Sequence, residues 1–387
     1  MSAVSKQPDS HDSIHCLNPT EKYNICLGYD VWLKQVRQVN VSYLENMPLF
    51  MRHPAVAVAL DQRISVNIES SKDWRIDGMR FDAARHPHIK SLLQRLWEGG
   101  PPLSIKIQGD IPPASGLGSS AALSIAASAV LRCAKGRKVD GDRWAEGFSS
   151  TQPNNVYHGP WTSKSGKQQI KGADSVNTDE CAILAHAVEA EAQGGKASPL
   201  DSSTCSHGGC IVLLDQVDET LDWLYTRSLN GVKWEVHSVS LNIEEDVWLV
   251  VGSTGIHAPT ALQVQKLAEL LEKNPERIAE IETIGMISRR GLDSLVKGDM
   301  NGVGRAMSEN HLILRNLGLS CTELESLIAA AAPTSLGVKL TGAGGGGCMI
   351  ALTKDPKATS EAIELAGGRT MISKFGSAGL SIEYSKD

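Results

Sequence analysis

A glycine-punctuated loop set between a strand and an alanine-rich helix constrains this chain more than any other feature. Residues 110–122 read Asp-Ile-Pro-Pro-Ala-Ser-Gly-Leu-Gly-Ser-Ser-Ala-Ala. Upstream, Leu103 to Gln108 sets Ile105 and Ile107 against Lys106 and Gln108, the period-two pattern of a half-buried strand. Downstream, Ala121 to Ala134 is predicted as a helix, ended by Gly136 with basic Lys135 and Arg137 beside it. Gly116 and Gly118 remove side chains, so main-chain N–H groups can close around an anion, and Ser119 and Ser120 add hydroxyls where the helix begins. A helix N-terminus carries roughly +0.5 charge and unpaired N–H donors, which suits a phosphate. The run is not a Walker A loop, since no Gly-Lys-[Ser/Thr] closes it, and it lacks the GxGxxG of dinucleotide folds. A Gly-rich turn with a serine cap is the plain alternative; the fixed order of Pro, two Gly and two Ser before an Ala helix favours phosphate binding. Ser120 is also a candidate Mg²⁺ ligand.

The rest of the composition narrows the class. At 387 residues the chain fits two domains. A net charge of −6 argues against a nucleic-acid binder, whose affinity depends on neutralising phosphates. No run of 18 apolar residues exists, and Met1 to Thr20 is polar, so neither a membrane span nor a secretory signal is expected and a cytoplasmic location is. Eight cysteines lie scattered without a CxxC pair, and Cys133, Cys210 and Cys348 read as small buried residues of a reducing compartment.

Along the chain, residues 1–38 are polar with no sustained period, and regular structure is expected from about Pro54. Ala55 to Leu60 and Arg63 to Glu69 read as strands, and His88 to Trp97 as a helix. Residues 148–177 read as a long loop or insertion, and Thr178 to Gln193 as a helix stopped by Gly194 and Gly195. Strands follow at Gly209 to Leu214, Asp222 to Tyr225, Glu235 to Val239 and Val247 to Gly252, then helices at 260–274, 276–297, 301–316 and 321–332. The chain closes with strands at Gly337 to Leu340 and Cys348 to Leu352, a helix at Ser360 to Gly367 and a strand near Leu380 to Tyr384. Strands mixed with helix pairs fit α+β better than a doubly wound sheet. A domain boundary near Gln216 divides the chain into 1–53, 54–216 and 217–387.

Two further motifs carry chemistry. Lys339-Leu-Thr-Gly-Ala-Gly-Gly-Gly-Gly-Cys348 concentrates glycines before a strand, as needed where a ligand or another backbone approaches closely; a β-bulge or tight domain contact is the alternative. Ala197-Ser-Pro-Leu-Asp201 places a carboxylate after a turn, which standing alone reads as an Asx turn or helix cap. Glu189 and Glu191 lie just upstream, so a carboxylate there and Asp201 can converge on a metal or a substrate hydroxyl, the economical arrangement for phosphoryl transfer. His207 and His257 lack a second ligand at helical spacing and read as solvent-facing or capping.

These three motifs, in this order, resemble the GHMP kinase superfamily; the stretches Pro54 to Arg63 and Lys339 to Cys348 look most like its mevalonate kinase branch, and Ala197 to Asp201 and Gly252 to Thr260 look closer to archaeal-type members. The resemblance implies an α+β, two-domain GHMP kinase fold: an N-terminal domain with a left-handed β-α-β unit and a ferredoxin-like C-terminal domain. It implies ATP and mevalonate as substrates, no nucleic-acid or membrane partner, and a homodimer as one expected assembly. By its pattern Pro113, Ser115, Gly116, Leu117, Gly118, Ser119, Ser120 and Ala121 hold the ATP phosphates. Gly344, Gly345 and Gly346 pack the last motif against the cleft. Ser120 and Glu189 hold Mg²⁺, Asp201 orients or deprotonates the acceptor hydroxyl, and Thr260 and Ala343 lie at the substrate. Other small-molecule kinases of the superfamily, mevalonate diphosphate decarboxylase and a nucleotide-binding homologue without turnover are the alternatives. The family begins with a Pro-Gly-Lys strand and a Gly-Glu-His turn; the matching stretch here, Val41 to His53, has neither.

Overall fold

The computed structural model describes residues 23–28, 54–109, 117–135, 161–163, 176–192, 197–257 and 260–384. The strands are β1 (Tyr23–Gly28), β2 (Ala55–Val58), β3 (Arg63–Ser70), β4 (Arg75–Ile76), β5 (Met79–Arg80), β6 (Leu103–Gly109), β7 (Trp161–Ser163), β8 (Cys210–Leu214), β9 (Asp222–Leu229), β10 (Val232–Ser238), β11 (Trp248–Ser253), β12 (Gly337–Leu340), β13 (Cys348–Thr353), β14 (Arg369–Lys374) and β15 (Ser381–Tyr384). The α-helices are α1 (Pro87–Leu96), α2 (Ser119–Lys135), α3 (Thr178–Ala192), α4 (Leu200–His207), α5 (Thr260–Lys273), α6 (Ile278–Val296), α7 (Met300–Asn316), α8 (Thr322–Ala331) and α9 (Pro356–Leu365).

Three sheets organise these elements. The first runs β15-β1-β3-β6-β4-β5, the second β2-β8-β10-β9-β7 and the third β12-β13-β11-β14. In the first, the alternation of β3 sends Ile64, Val66 and Ile68 inward, where they meet Ala121, Ala122, Ile125, Ala126 and Ala129 of α2 in one core. Small alanines on α2 let α3 and α4 approach closely, and all three helices pack together. Strand β8 is apolar throughout because both its faces are covered. Cys210, Val212 and Leu214 join the large core, while Ile211 and Leu213 join a second cluster with Leu200, Tyr225, Trp234 and Val236. The third sheet, with α9 between β13 and β14, has the strand order of a ferredoxin-like unit, its first crossover enlarged to the helices α5 to α8. Among the described residues no helix is long and apolar enough to cross a membrane.

Several expectations change here. Tyr23–Gly28, read as weakly structured, is a strand between β3 and β15; its partners lie far away in sequence, so local periodicity carries little of the signal. Trp161–Ser163, inside the expected loop of 148–177, pairs with β9. The expected boundary at Gln216 falls between β8 and β9 of one sheet, and by sheet membership we propose that the division lies between Ser238 and Trp248. Cys210 and Cys348 are buried, whereas the Cys133 side chain lies outside the described residues.

The C-terminal segment crosses back onto the first half. The Asp61 N–H donates to Ser373 Oγ at 2.7 Å and its carboxylate accepts the Lys374 N–H at 2.8 Å. Gly209 N–H donates to Ser377 O at 2.8 Å and Leu380 N–H to Ser206 O at 3.0 Å, after which β15 pairs with β1.

Candidate active site

Helix α2 starts just after Gly118, whose φ of +71° suits glycine and whose carbonyl accepts the first helical bond, from Ala122 N–H at 3.2 Å. Leu117 is buried and anchors the turn; Ser119 and Ser120 are half-buried at the helix head. The N–H groups of this first turn have no intrahelical acceptor by geometry, so they are available to an anion. Pro113, Ser115 and Gly116, the upstream half of the expected phosphate loop, lie outside the described residues.

Ser120 Oγ donates to Glu189 Oε1 at 2.9 Å. Glu191, two residues on, faces the other way, since a helix turns about 200° in two steps. It accepts from Ser91 Oγ at 2.6 Å and pairs with Arg95 at 2.5 Å, tying α3 to α1. Of the two carboxylates near this end of α3, then, Glu189 stands at the head of α2 and Glu191 at α1.

Asp201 occupies the first turn of α4, 7% exposed. Sequence alone read it as a turn or cap, because Leu-Asp-Ser-Ser-Thr-Cys-Ser-His has poor helix propensity. Within the helix the hydroxyls are satisfied by carbonyls of the preceding turn: Ser202 donates to Pro199 O at 3.1 Å, Ser203 also to Pro199 O, and Thr204 to Leu200 O at 2.8 Å. A carboxylate in the first turn is further favoured by the helix dipole. Ser203 also shares a 2.7 Å hydrogen bond with the Tyr225 hydroxyl, whose pKa burial pushes well above its ordinary value. At the other end Ser206 Oγ donates to Thr178 O at 2.6 Å, and His207 lies 3.1 Å from Asp179. His207 is therefore a half-buried partner that ties α4 to the start of α3 rather than a solvent-facing residue; His257 is exposed as expected.

The glycine-rich turn between β12 and β13 is held by another set of contacts. Gly345 N–H donates to Leu319 O at 2.9 Å, Gly347 N–H to Ile256 O at 2.8 Å, and Thr254 N–H to Gly347 O at 2.9 Å. The structure thus joins two stretches singled out in the sequence, 252–260 and 339–348. Thr260 begins α5, with its side chain outside the described residues, and Ala343 is half-buried at the turn. Lys339 is buried beneath it, its Nζ donating to Leu340 O at 2.9 Å. Gly344 has φ +78°, and a Cβ there would stand 1.8 Å from Leu319 O. Gly344→Ala is expected to destabilise the protein by about 2 kcal/mol or more, from left-handed strain plus displaced backbone. The urea midpoint should fall with m unchanged; an unmoved midpoint contradicts this close approach.

The family model for the GHMP kinases N terminal domain matches residues 87–152, and that for the GHMP kinases C terminal matches residues 292–366. The chain carries both the N-terminal and the C-terminal family domain of the GHMP kinases, in that order. The N-terminal match spans α1, β6 and the whole of α2, and the C-terminal match runs from α6 to α9 across the glycine-rich turn. The chain is similar to the mevalonate kinase of Methanothermobacter thermautotrophicus, 28% identical over 310 residues covering 77% of this chain and 82% of the relative. Among solved structures it is similar to the mevalonate kinase of methicillin-resistant Staphylococcus aureus MRSA252. That match has TM-score 0.57 and 25% identity, covering 92% of this chain and 100% of that one. The L. major mevalonate kinase in complex with R-mevalonate shares the fold at TM-score 0.61 and 19% identity, covering 93% and 96%. The α+β, two-domain GHMP kinase fold expected from the motifs is the fold of this chain.

Proposed function

We propose that this protein transfers the γ-phosphoryl group of Mg·ATP to the 5-hydroxyl of mevalonate. One observation carries the chemistry: a hydroxyl and a carboxylate, Ser120 and Glu189, meet at 2.9 Å at the head of α2, with Asp201 in the first turn of the adjoining α4. The acceptor is inferred from the relatives of this chain that are mevalonate kinases.

The residues fit Mg²⁺. Ser120 and Glu189 present hard oxygen donors side by side, and no cluster of three or more His, Cys, Asp or Glu exists among the described residues. Mg²⁺ accepts such a sparse set, because it keeps waters and substrate phosphates as its other ligands. When bound it would neutralise charge on the transferred phosphate. The chain's own groups do the rest. First-turn N–H donors of α2 bind the phosphate oxygens. Asp201 accepts the proton of the acceptor hydroxyl, or orients it, as the new O–P bond forms and the bond to the β-phosphate breaks, releasing ADP. Burial of Asp201 keeps competing water away from that oxygen.

Glu189→Gln keeps the shape but removes the charge. The Mg²⁺ concentration for half-maximal rate is expected to rise at least ~10-fold, the lower end of what losing even an outer-sphere partner does. An unchanged Mg²⁺ titration would remove Glu189 from the metal site. Coupled ADP release with mevalonate tests the whole reading. A second reading, a nucleotide-binding homologue without turnover, is favoured by the lack of a Pro-Gly-Lys segment in Val41 to His53. ATP binding without ADP release on mevalonate, phosphomevalonate or sugar acceptors decides for it.

A further inference from the structure

Behind α4 lies a buried chain of hydrogen bonds that the phosphate site does not use. His186 sits on α3, one helical turn before Glu189, and is wholly buried. Arg227, on β9, is also wholly buried, and among the described residues no carboxylate pairs with it. An unpaired buried cation is unfavourable, so its retention calls for a reason. Its Nε donates to His186 Nδ1 at 2.9 Å. Arginine has no acceptor, so Nδ1 must be the bare nitrogen and Nε2 must carry the hydrogen. That Nε2 lies 2.9 Å from the Ala197 carbonyl oxygen and donates to it. Trp234, directly across from Arg227 in the sheet, presses on the same imidazole at a centroid distance of 5.5 Å and 89°. Burial, and then the Arg227 charge, pull the His186 pKa down to about 3, so the ring stays neutral.

Ala197 leads directly into Ser198, Pro199, Leu200 and Asp201. Pro199 is the N-cap of α4 with a ring-fixed φ of −76°, and its carbonyl is tied by Ser202 and Ser203. Little freedom remains between the Ala197 carbonyl and the Asp201 carboxylate. We propose that His186, fixed in one tautomer by Arg227, is a positioning residue for Asp201: it clamps the Ala197 carbonyl and so sets the first turn of α4 relative to Glu189 on α3. This inference rests on the phosphotransfer role of Asp201 proposed above.

Two variants of the full chain separate the halves of the clamp. His186→Gln retains a donor near the Nε2 position, toward Ala197; His186→Asn retains an acceptor near Nδ1, toward Arg227, and loses the Ala197 bond. Both should melt lower than wild type by similar amounts. His186→Asn should lose ~10–100-fold in kcat with ATP affinity unchanged, as a misplaced reacting group does, while His186→Gln stays within about threefold of wild type. Equal kcat losses in the two, or no loss in either, overturn the proposal. Should both variants fail to fold, wild-type protein labelled with ¹⁵N-histidine decides. A neutral His186 with hydrogen on Nε2 from about pH 5 to about pH 8 supports the clamp, and an Nδ1–H tautomer or imidazolium overturns it. If wild type releases no ADP with mevalonate, the kinase reading fails by itself, and the tautomer measurement still reports on the clamp.

Discussion

Asp201→Asn is expected to lower kcat for mevalonate phosphorylation by roughly 10²–10⁴-fold, the usual contribution of a positioned acid or base, while ATP binds as before. The substitution preserves volume and the first turn of α4, because that turn is held by Pro199 and the hydroxyls of Ser202 to Thr204. ATP affinity should be untouched, since the phosphate donors belong to α2 and the metal pair is Ser120 with Glu189. Steady-state kinetics at saturating substrates, with calorimetric ATP binding alongside, make the comparison. A kcat within about threefold of wild type takes Asp201 out of the chemistry. A parallel collapse of ATP affinity would instead mean that the residue holds nucleotide.

The largest stability effect is expected at Arg132→Met. Arg132 on α2 and Glu180 on α3 form an ion pair whose side chains are 0% and 2% exposed. Burial pulls the Arg132 pKa below its ordinary value while Glu180 pushes it back up. Removing the cation alone strands a buried carboxylate, which in comparable sites costs about 3–5 kcal/mol, a large share of a typical total of about 5–15 kcal/mol. Adding Glu180→Leu should recover most of the loss, because an apolar pair of similar volume is often neutral or better in such a position. Urea unfolding of the two singles and the double gives the coupling directly. A double variant no more stable than Arg132→Met would mean that the pair matters through packing instead of charge. Because α2 and α3 carry Ser120 and Glu189, the same cycle should report on the Mg²⁺ requirement.

Much of this arrangement is legible in the sequence, for identifiable reasons. Helix α2 is written in its alanines, and β3 and β6 in their alternation, since each is decided by one buried face. The pairing of Ser120 with Glu189 comes from the family resemblance, since residue types alone leave Glu189 and Glu191 both open. Helix α4 was hidden because its serines and threonines are weak helix formers, and its far end is pinned by tertiary contacts to Thr178 and Asp179 that local sequence does not report. Strand β1 was hidden because its neighbours β3 and β15 come from different parts of the chain. The His186–Arg227–Ala197 clamp joins residues 41 and 11 positions apart, on α3, on β9 and in the turn before α4, and no periodicity reports that.

The return of β15 to β1 bears on how this protein is made. A nascent chain leaving the ribosome displays the glycine loop, α2, α3 and α4 long before Ser377 to Leu380 emerge to grip Ser206 and Gly209. Until then the helix that carries Asp201 is held at its trailing end only by α3, through Thr178 and Asp179, and the first sheet has an open edge beside β1. The site therefore cannot take its final form until residues as far along as Tyr384 have been made, which leaves a vulnerable interval that chaperones or proteases can exploit.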